Sequence, residues 1–449
     1  MLSFFRDSLP SLDPAVADLV RYEAERQGRK LILIPSESQA PEAVREALGS
    51  VFQNIYAEGY PDPSIHGKTE EQILDYEGQL AYFRRYSDRR YYRGVEYVNI
   101  LESLAQRRAA DAFTTDEIPP EEIWANVQPL SGSPANSAIY AALVPPGSTV
   151  MGMDLLHGGH LTHGSPANRS GKLYNIVSYG IDLKSERLDY DAIEELARQH
   201  KPKMIIAGYT SYPWMPDWAR FRQIADAAGA YLLADISHIA GMVAAGVVAS
   251  PVGHAHVISF TTHKTLYGPR GACILTTDKK LARKVDSAVF PGEQGGPHVN
   301  AIAGMAVAFE LAATPEFAQL QARVVKNAAH LAAELERRGL RIPYGGTDTH
   351  MLLADCKSVR ADIGVSPDGQ RGTPLMGDSA ARILDMAGIV LNRNTIPGDR
   401  SARNPSGIRL GTPWITQRGF QEAEIEQLAE IITRLLQATE PYAYAGRYG

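Results

Sequence analysis

The chain is short of cysteine, of long apolar runs and of clustered charge, and each shortage removes a class of protein. Its two cysteines in 449 residues, Cys273 and Cys356, cannot build a disulfide framework. Each lies in an apolar, strand-like run (ACILTT, MLLADCK), so reduced, buried thiols and a cytoplasmic location are expected. No window approaches the roughly 20 apolar residues of a membrane span. The opening MLSFFRDSLPSLD puts acid and proline where a signal peptide needs an apolar stretch, so neither export nor a membrane partner is expected. The net charge is -6 and the only basic run is the short cluster at 84–90, which argues against nucleic acid and for small-molecule partners. Fixed-period repeats and low-complexity tracts are also missing, which excludes solenoids and disordered linkers.

What is present is a soluble-type composition, 44% hydrophobic and 21% charged, in a chain too long for one simple core. Asp13 before Pro14, followed by apolar positions at helical spacing, predicts a helix over 14–28, and a second begins near Pro41. From about 120 to 280, short apolar runs (TVMGMD, YNIVSYG, KMIIAG, YLLADI, HVISFT, ACILTT) alternate with helical stretches. That rhythm is the mark of a mainly parallel α/β sheet. Long helical segments after Pro297 lead to a smaller α+β region ending in a helix near 420–437.

The chemistry concentrates at strand ends. Lys264, in TTHKTLYGPRG, follows an apolar run, where partial desolvation leaves an amine neutral enough to attack an aldehyde. Asp235 and His238, in YLLADISHIAG, follow the preceding strand, and a carboxylate there would keep a pyridine nitrogen protonated. Together they point to pyridoxal phosphate. Ser131, Gly132 and Ser133 of SGSPAN precede a helical run and offer amides and hydroxyls to a phosphate. Alone, the same residues are ordinary capping. His157, His160 and His163 recur every third residue, which raises a metal site, but the paired glycines among them suggest a loop that approaches a ligand. The preferred reading has no metal and stacks the His160 imidazole on the coenzyme ring. Arg409, between glycines in SGIRLGTP, is placed to clamp a carboxylate. The loop NIYAEGYP offers Tyr56 and Glu58 for proton transfer.

These residues lie within ordered motifs, among them NIYAEGYP, RYYRGVEYVN, WANVQPLSGSPAN, DLLHGGHLTHGSPANRSGKLYN, ADISHIAG, TTHKTLYGPRG, FPGEQGGP and SGIRLGTP, over which the chain resembles the serine hydroxymethyltransferases from about residue 10 to 437. The resemblance implies an α/β, fold-type I pyridoxal phosphate-dependent transferase with a mainly parallel seven-stranded sheet and a smaller C-terminal α+β domain. It implies an N-terminal helical arm (1–55), a large domain (56–310) and a small domain (311–449). By the same resemblance Lys264 would hold the coenzyme covalently, Asp235 pair with its ring nitrogen, His238 lie beside its phenolic oxygen and His160 stack on the ring. Ser131, Gly132, Ser133 and Thr210 would hold the coenzyme, with Gly295 and Gly296 reaching the phosphate from a neighbouring subunit. Ser36, Tyr92 and Arg409 would bind substrate, and Tyr91, Leu155, Gly158, Gly159 and Asn394 would line a tetrahydrofolate pocket. Glu58 and Tyr56 would come from the neighbour, which implies a homodimer or homotetramer. The implied reaction is the interconversion of serine and glycine with one-carbon transfer to tetrahydrofolate, in amino-acid and one-carbon metabolism.

Several departures keep relatives of that reaction open. A segment at 62–90 separates YAEGYP from RYY, and within it TEEQILDYEGQLAYFRRY reads as one helix capped by Thr69, with Ile73, Tyr76, Leu80 and Phe83 on one stripe. Ser38 stands for an asparagine, and Arg169 for an aromatic residue. An α-methylserine hydroxymethyltransferase, or a folate-independent β-hydroxy amino acid aldolase or transaldolase, shares the remaining motifs.

Overall fold

The computed structural model describes residues 5–86, 89–365 and 371–439. Residues 1–4 of the arm, Ser87 and Asp88 of the 62–90 segment and 440–449 at the C-terminal end lie outside the described residues.

A seven-stranded sheet has the order Trp124–Asn126, Ala272–Thr276, Val257–Thr261, Tyr231–Asp235, Met204–Ala207, Thr149–Met153, Asn175–Tyr179. Ala272–Thr276 is antiparallel to both neighbours and every other pairing is parallel, so it alone runs against the rest. Successive residues divide between two apolar layers: Leu232 and Ala234 join one, Leu233 the other. Side chains alternate along a strand, and burial of both faces is why these strands read as unbroken apolar runs. The helix Gly132–Leu143 covers the Leu233 face through Ala135 and Ile139. Asp235 shares its parity with Leu233, so the last side chain of that strand meets the same helix near its start.

A second core gathers Leu331 and Leu335 of helix Pro315–Arg337 with strands Met351–Asp355 and Gly407–Gly411 and helix Glu422–Gln437. The arm contributes to it: Leu31–Ile32 pairs in parallel with Ile389–Val390, and Leu33 is buried there. The N-terminal helix runs Pro14–Arg29, with Asp13 Oδ1 accepting from the Val16 amide at 3.1 Å, and none of its residues is buried. Cys273 is buried within its strand, whereas Cys356 is buried just past one, in the turn Cys356–Ser358, with its thiol pushed up to about 12 by burial. Among the described residues no single helix is long and apolar enough to cross a membrane. The bent pair Val299–Ala312 and Pro315–Arg337 passes by length and composition, but most of its first helix is buried in the protein's own core.

The 62–90 segment forms two longer helical pieces rather than the one expected, Glu70–Ile73 and Tyr76–Tyr86. Thr69 caps the first reciprocally with Gln72. The break follows because Asp75 turns its carboxylate onto the Gly78 amide at 3.1 Å, starting a new helix where spacing alone saw a continuous one. Ile73 and Phe83 stay buried against Ile65 and Ile100, while Tyr76 faces solvent. The segment re-enters the large domain at Arg90, whose fully buried guanidinium pairs with Glu102 at 2.6 Å and donates to the carbonyls of Ala57 (2.8 Å) and Gly59 (2.9 Å). Arg90→Ala leaves that carboxylate buried and unpaired, so a loss of about 3–5 kcal/mol is expected in urea unfolding. Arg84→Ala, on the exposed side of the segment, should stay within about 0.5 kcal/mol.

Candidate active site

Ser131, Gly132, Ser133, His160, Thr210, Asp235, His238 and Lys264 line one cavity of about 220 Å³ at the strand ends. Lys264 sits in a loop closed by the Gly268 amide on the Thr262 carbonyl (2.8 Å) and by Thr262 Oγ1 on Pro269 O (2.7 Å). Ser38 Oγ donates to the Lys264 carbonyl at 2.7 Å, so this departure from the asparagine still secures the lysine backbone. Burial brings the Lys264 amine down to about 8, against the opposing pull of Asp235.

Burial works against charge on Asp235, but the hydrogen bond and charge of His163, with Ser237, hold its carboxyl well below the usual carboxylate range. Its Oδ2 lies 2.9 Å from both His163 Nε2 and Asn136 Nδ2, and Oδ1 accepts from Ser237 Oγ at 2.5 Å. His163 Nδ1 accepts the His160 amide at 3.4 Å, which leaves Nε2 to donate to Asp235. Asn136 is fixed in turn by Ser259 Oγ on its Oδ1 (2.7 Å) and by its donation to Thr162 Oγ1 (2.9 Å). Thr162 then orients His160, its hydroxyl 2.8 Å from Nδ1 and its amide donating there at 3.2 Å. Burial brings His160 down to about 4, so it presents a neutral ring.

The fold brings Asp235, remote in sequence, within 4.8 Å of His160 and His163, a grouping that would suit an ion. Both nitrogens of His163 and the Asp235 oxygen it meets are already engaged. His157 stands apart, against Gly180.

His238 is neutral, held well below the usual histidine range by burial and by Lys264, and its Nδ1 lies 3.2 Å from His350 Nε2. Arg409 is buried on the strand Gly407–Gly411, donates to Thr210 O at 2.5 Å and reaches Asn392 Oδ1 at 3.3 Å. Among the described residues it has no carboxylate partner, and burial brings it only to about 10, so it stays cationic. Ser36 belongs to the neighbouring segment, whose Leu33 carbonyl accepts from Gly411. Asn394, assigned to folate, spends its amide on Thr395 O, and Asn392, two residues earlier, is the one at Arg409. Leu155 is exposed, while Gly158 and Gly159 are demanded by packing: a Cβ would meet Tyr212 N at 2.7 Å and Met153 O at 2.0 Å.

Tyr56, Glu58, Tyr91, Tyr92, Gly295 and Gly296 form a second group whose members do not line the Lys264 cavity. Tyr56 OH donates to Glu58 Oε1 at 3.4 Å and packs on Tyr92 with ring centroids 4.7 Å apart. Cβ atoms added to Gly295 and Gly296 would meet Glu58 and Tyr56 at 3.1 Å. Glu58 and Tyr91 border an open depression with Phe290 and Gly295.

A strand-end lysine, an ionised acid and a neutral histidine beneath a helix start, on this sheet, define a fold-type I pyridoxal phosphate enzyme. A model of the serine hydroxymethyltransferases matches residues 9–84 and 73–432, two stretches that meet inside the 62–90 segment. A serine hydroxymethyltransferase from Synechococcus sp. (strain JA-3-3Ab) is 47% identical over 435 residues, 96% of this chain and 92% of that protein. The chain belongs to the serine hydroxymethyltransferase family. The residues fit its coenzyme: Ser131, at the N-cap of Gly132–Leu143, leaves its side chain unused as a cap, and Gly132 is required because a Cβ would meet Thr261 Cγ2 at 2.8 Å.

If Lys264 is the nucleophile, its reductive methylation by formaldehyde in the coenzyme-free protein should speed up as pH rises through about 8, because losing the proton there frees the lone pair. Mass spectrometry of the Lys264 peptide reads this, and a rise deferred to the ordinary 10.5 of a lysine contradicts it.

Proposed function

We propose that this enzyme interconverts serine and glycine and passes the hydroxymethyl carbon to tetrahydrofolate, with pyridoxal phosphate as coenzyme. The observation that carries the reading is one cavity holding an amine near neutrality, Lys264, with an ionised carboxylate, Asp235. Pyridoxal phosphate, when bound, supplies an aldehyde to capture the amino acid and a ring that takes up the electron pair of the broken Cα–Cβ bond. Lys264 Nζ would hold it. Asp235 keeps a proton on the ring nitrogen, and the neutral His160 ring fixes the plane. Ser131, Gly132 and Ser133 hold the phosphate, and His238 and Thr210 bound the rest of the ring. Arg409, a buried cation with no carboxylate partner among the described residues, receives the substrate carboxylate beside Ser36.

Glu58 manages the proton transfers of the folate half, with Tyr56, Tyr91 and Tyr92 beside it. These residues belong to a second copy. Their separation from Lys264 within one chain supports a homodimer or a dimer-based tetramer, as does the unburied helix Pro14–Arg29, which leaves Leu19 65% and Val20 58% exposed. Leu155, Gly158, Gly159 and Asn394 border the folate on this reading. Two buried, unpaired thiols support a cytoplasmic location.

Turnover of serine, α-methylserine and threonine is to be compared with and without tetrahydrofolate. Folate-dependent turnover that favours serine is expected. Preference for α-methylserine, or cleavage of threonine at equal rate without folate, replaces this reading with one of its relatives. Co-expressing Lys264→Ala with Glu58→Gln tests the shared site. Each variant alone should be inactive, while hybrid dimers with one intact site recover activity; no recovery means that each chain completes its own site.

A further inference from the structure

A second cavity, of about 200 Å³, lies between the 62–90 segment and the edge of the large sheet and shares no lining residue with the Lys264 cavity. Its walls are mostly apolar, supplied by Ile65 and Ile73 of the inserted segment and by Trp124, Ile274 and Val285 of the large domain. The inserted side is anchored rather than loose. His66 stacks on the Trp124 indole with centroids 3.4 Å apart, and Arg108 binds Glu70 at 2.5 Å.

The polar groups at one side are already satisfied. Asn126 donates to Asp286 Oδ1 (2.8 Å) and to Tyr60 OH (3.0 Å), and Tyr60 donates to the Asp286 carbonyl (2.7 Å). What remains for a ligand is cationic. Four bases line the cavity, Lys68, Arg107, Lys279 and Arg283, against two acids, Asp62 and Asp286. Arg107 is shared with Asp111, but among the described residues Lys68, Lys279 and Arg283 make no ion pair. Lys279 lies over the Trp124 ring at 5.4 Å, and Arg283 follows one turn later on helix Lys279–Ser287. A basic, apolar-walled cavity on a chain of net charge -6 selects for an anion that carries its own apolar body. Fully hydrated inorganic anions gain nothing from such walls. The volume falls below the roughly 300–1,000 Å³ of sites for drug-sized ligands, so the occupant is small.

We propose that this cavity is a binding site, separate from the catalytic one, for a small amphiphilic carboxylate, with its alkyl or aryl body against Trp124 and Ile73 and its acid group on Lys279 and Arg283.

The coenzyme-loaded protein is to be titrated with hexanoate, hexanol and inorganic phosphate, read by tryptophan emission. Hexanoate should give a saturable change that is lost in Trp124→Phe and untouched by serine. The Lys279→Gln, Arg283→Gln double variant should bind it at least about tenfold more weakly, the loss of one charge-assisted contact. Both side chains are exposed, so the variant keeps its fold and its serine turnover. Four results overturn the proposal: no saturable signal with hexanoate, equal affinity for hexanol or phosphate, unchanged affinity in the double variant, or displacement of hexanoate by serine.

Discussion

The catalytic end of this molecule is arranged around the problem of keeping one carboxylate charged out of water. Asp235 loses its hydration at the tip of a strand covered on both faces, a cost that only directed hydrogen bonds and charge offset. The compensation comes from three places: His163 in a turn, Asn136 in the helix that begins the phosphate cradle, and Ser237 beyond the strand. Because Asn136 also holds Thr162, and Thr162 orients His160, the pose of the His160 ring is set by the same network as the charge. The hydrogen bonds that fix these side chains all come from the chain itself, an arrangement that holds charge with little reorganisation.

Much of this was legible in the chain itself, and what was not has a common cause. The inner strands announce themselves because burial of both faces leaves no polar alternation to hide them. Lys264, Asp235, His160 and Arg409 sit in short motifs whose local chemistry is readable residue by residue. Asn136 was not singled out and His163 was raised only as a metal candidate, since each meets Asp235 only across a separation of 99 or 72 residues. The same blindness hid the acid that the fold sets against the histidine run. Trp124–Asn126 is too short to show a period, and Leu31–Ile32 finds its partner strand more than 350 residues later, so the arm looked purely helical. Spacing extended one helix through Asp75 because periodicity does not see a side chain turning back on its own backbone.

The chain also carries surfaces that make no sense alone. A helix of 16 residues with nothing buried, and aromatic residues as open as Tyr91 at 78% exposure, spend conformational entropy without hydrophobic return. Glu58 and Tyr56 sit against Tyr92, Gly295 and Gly296, apart from the Lys264 cavity.

Arg90 pins the loop on which the 62–90 segment is inserted. The carbonyls on either side of Glu58 are gripped by a guanidinium that is itself sealed against Glu102, and Gln128 holds Gly59 a second time at 2.8 Å. Those pins stand on the far side of the excursion, so whatever is threaded between Asp62 and Arg89 is mechanically insulated from the loop it interrupts. That stretch is a natural graft point, where the chain can grow or lose an appendage without the acid at Glu58 registering the change.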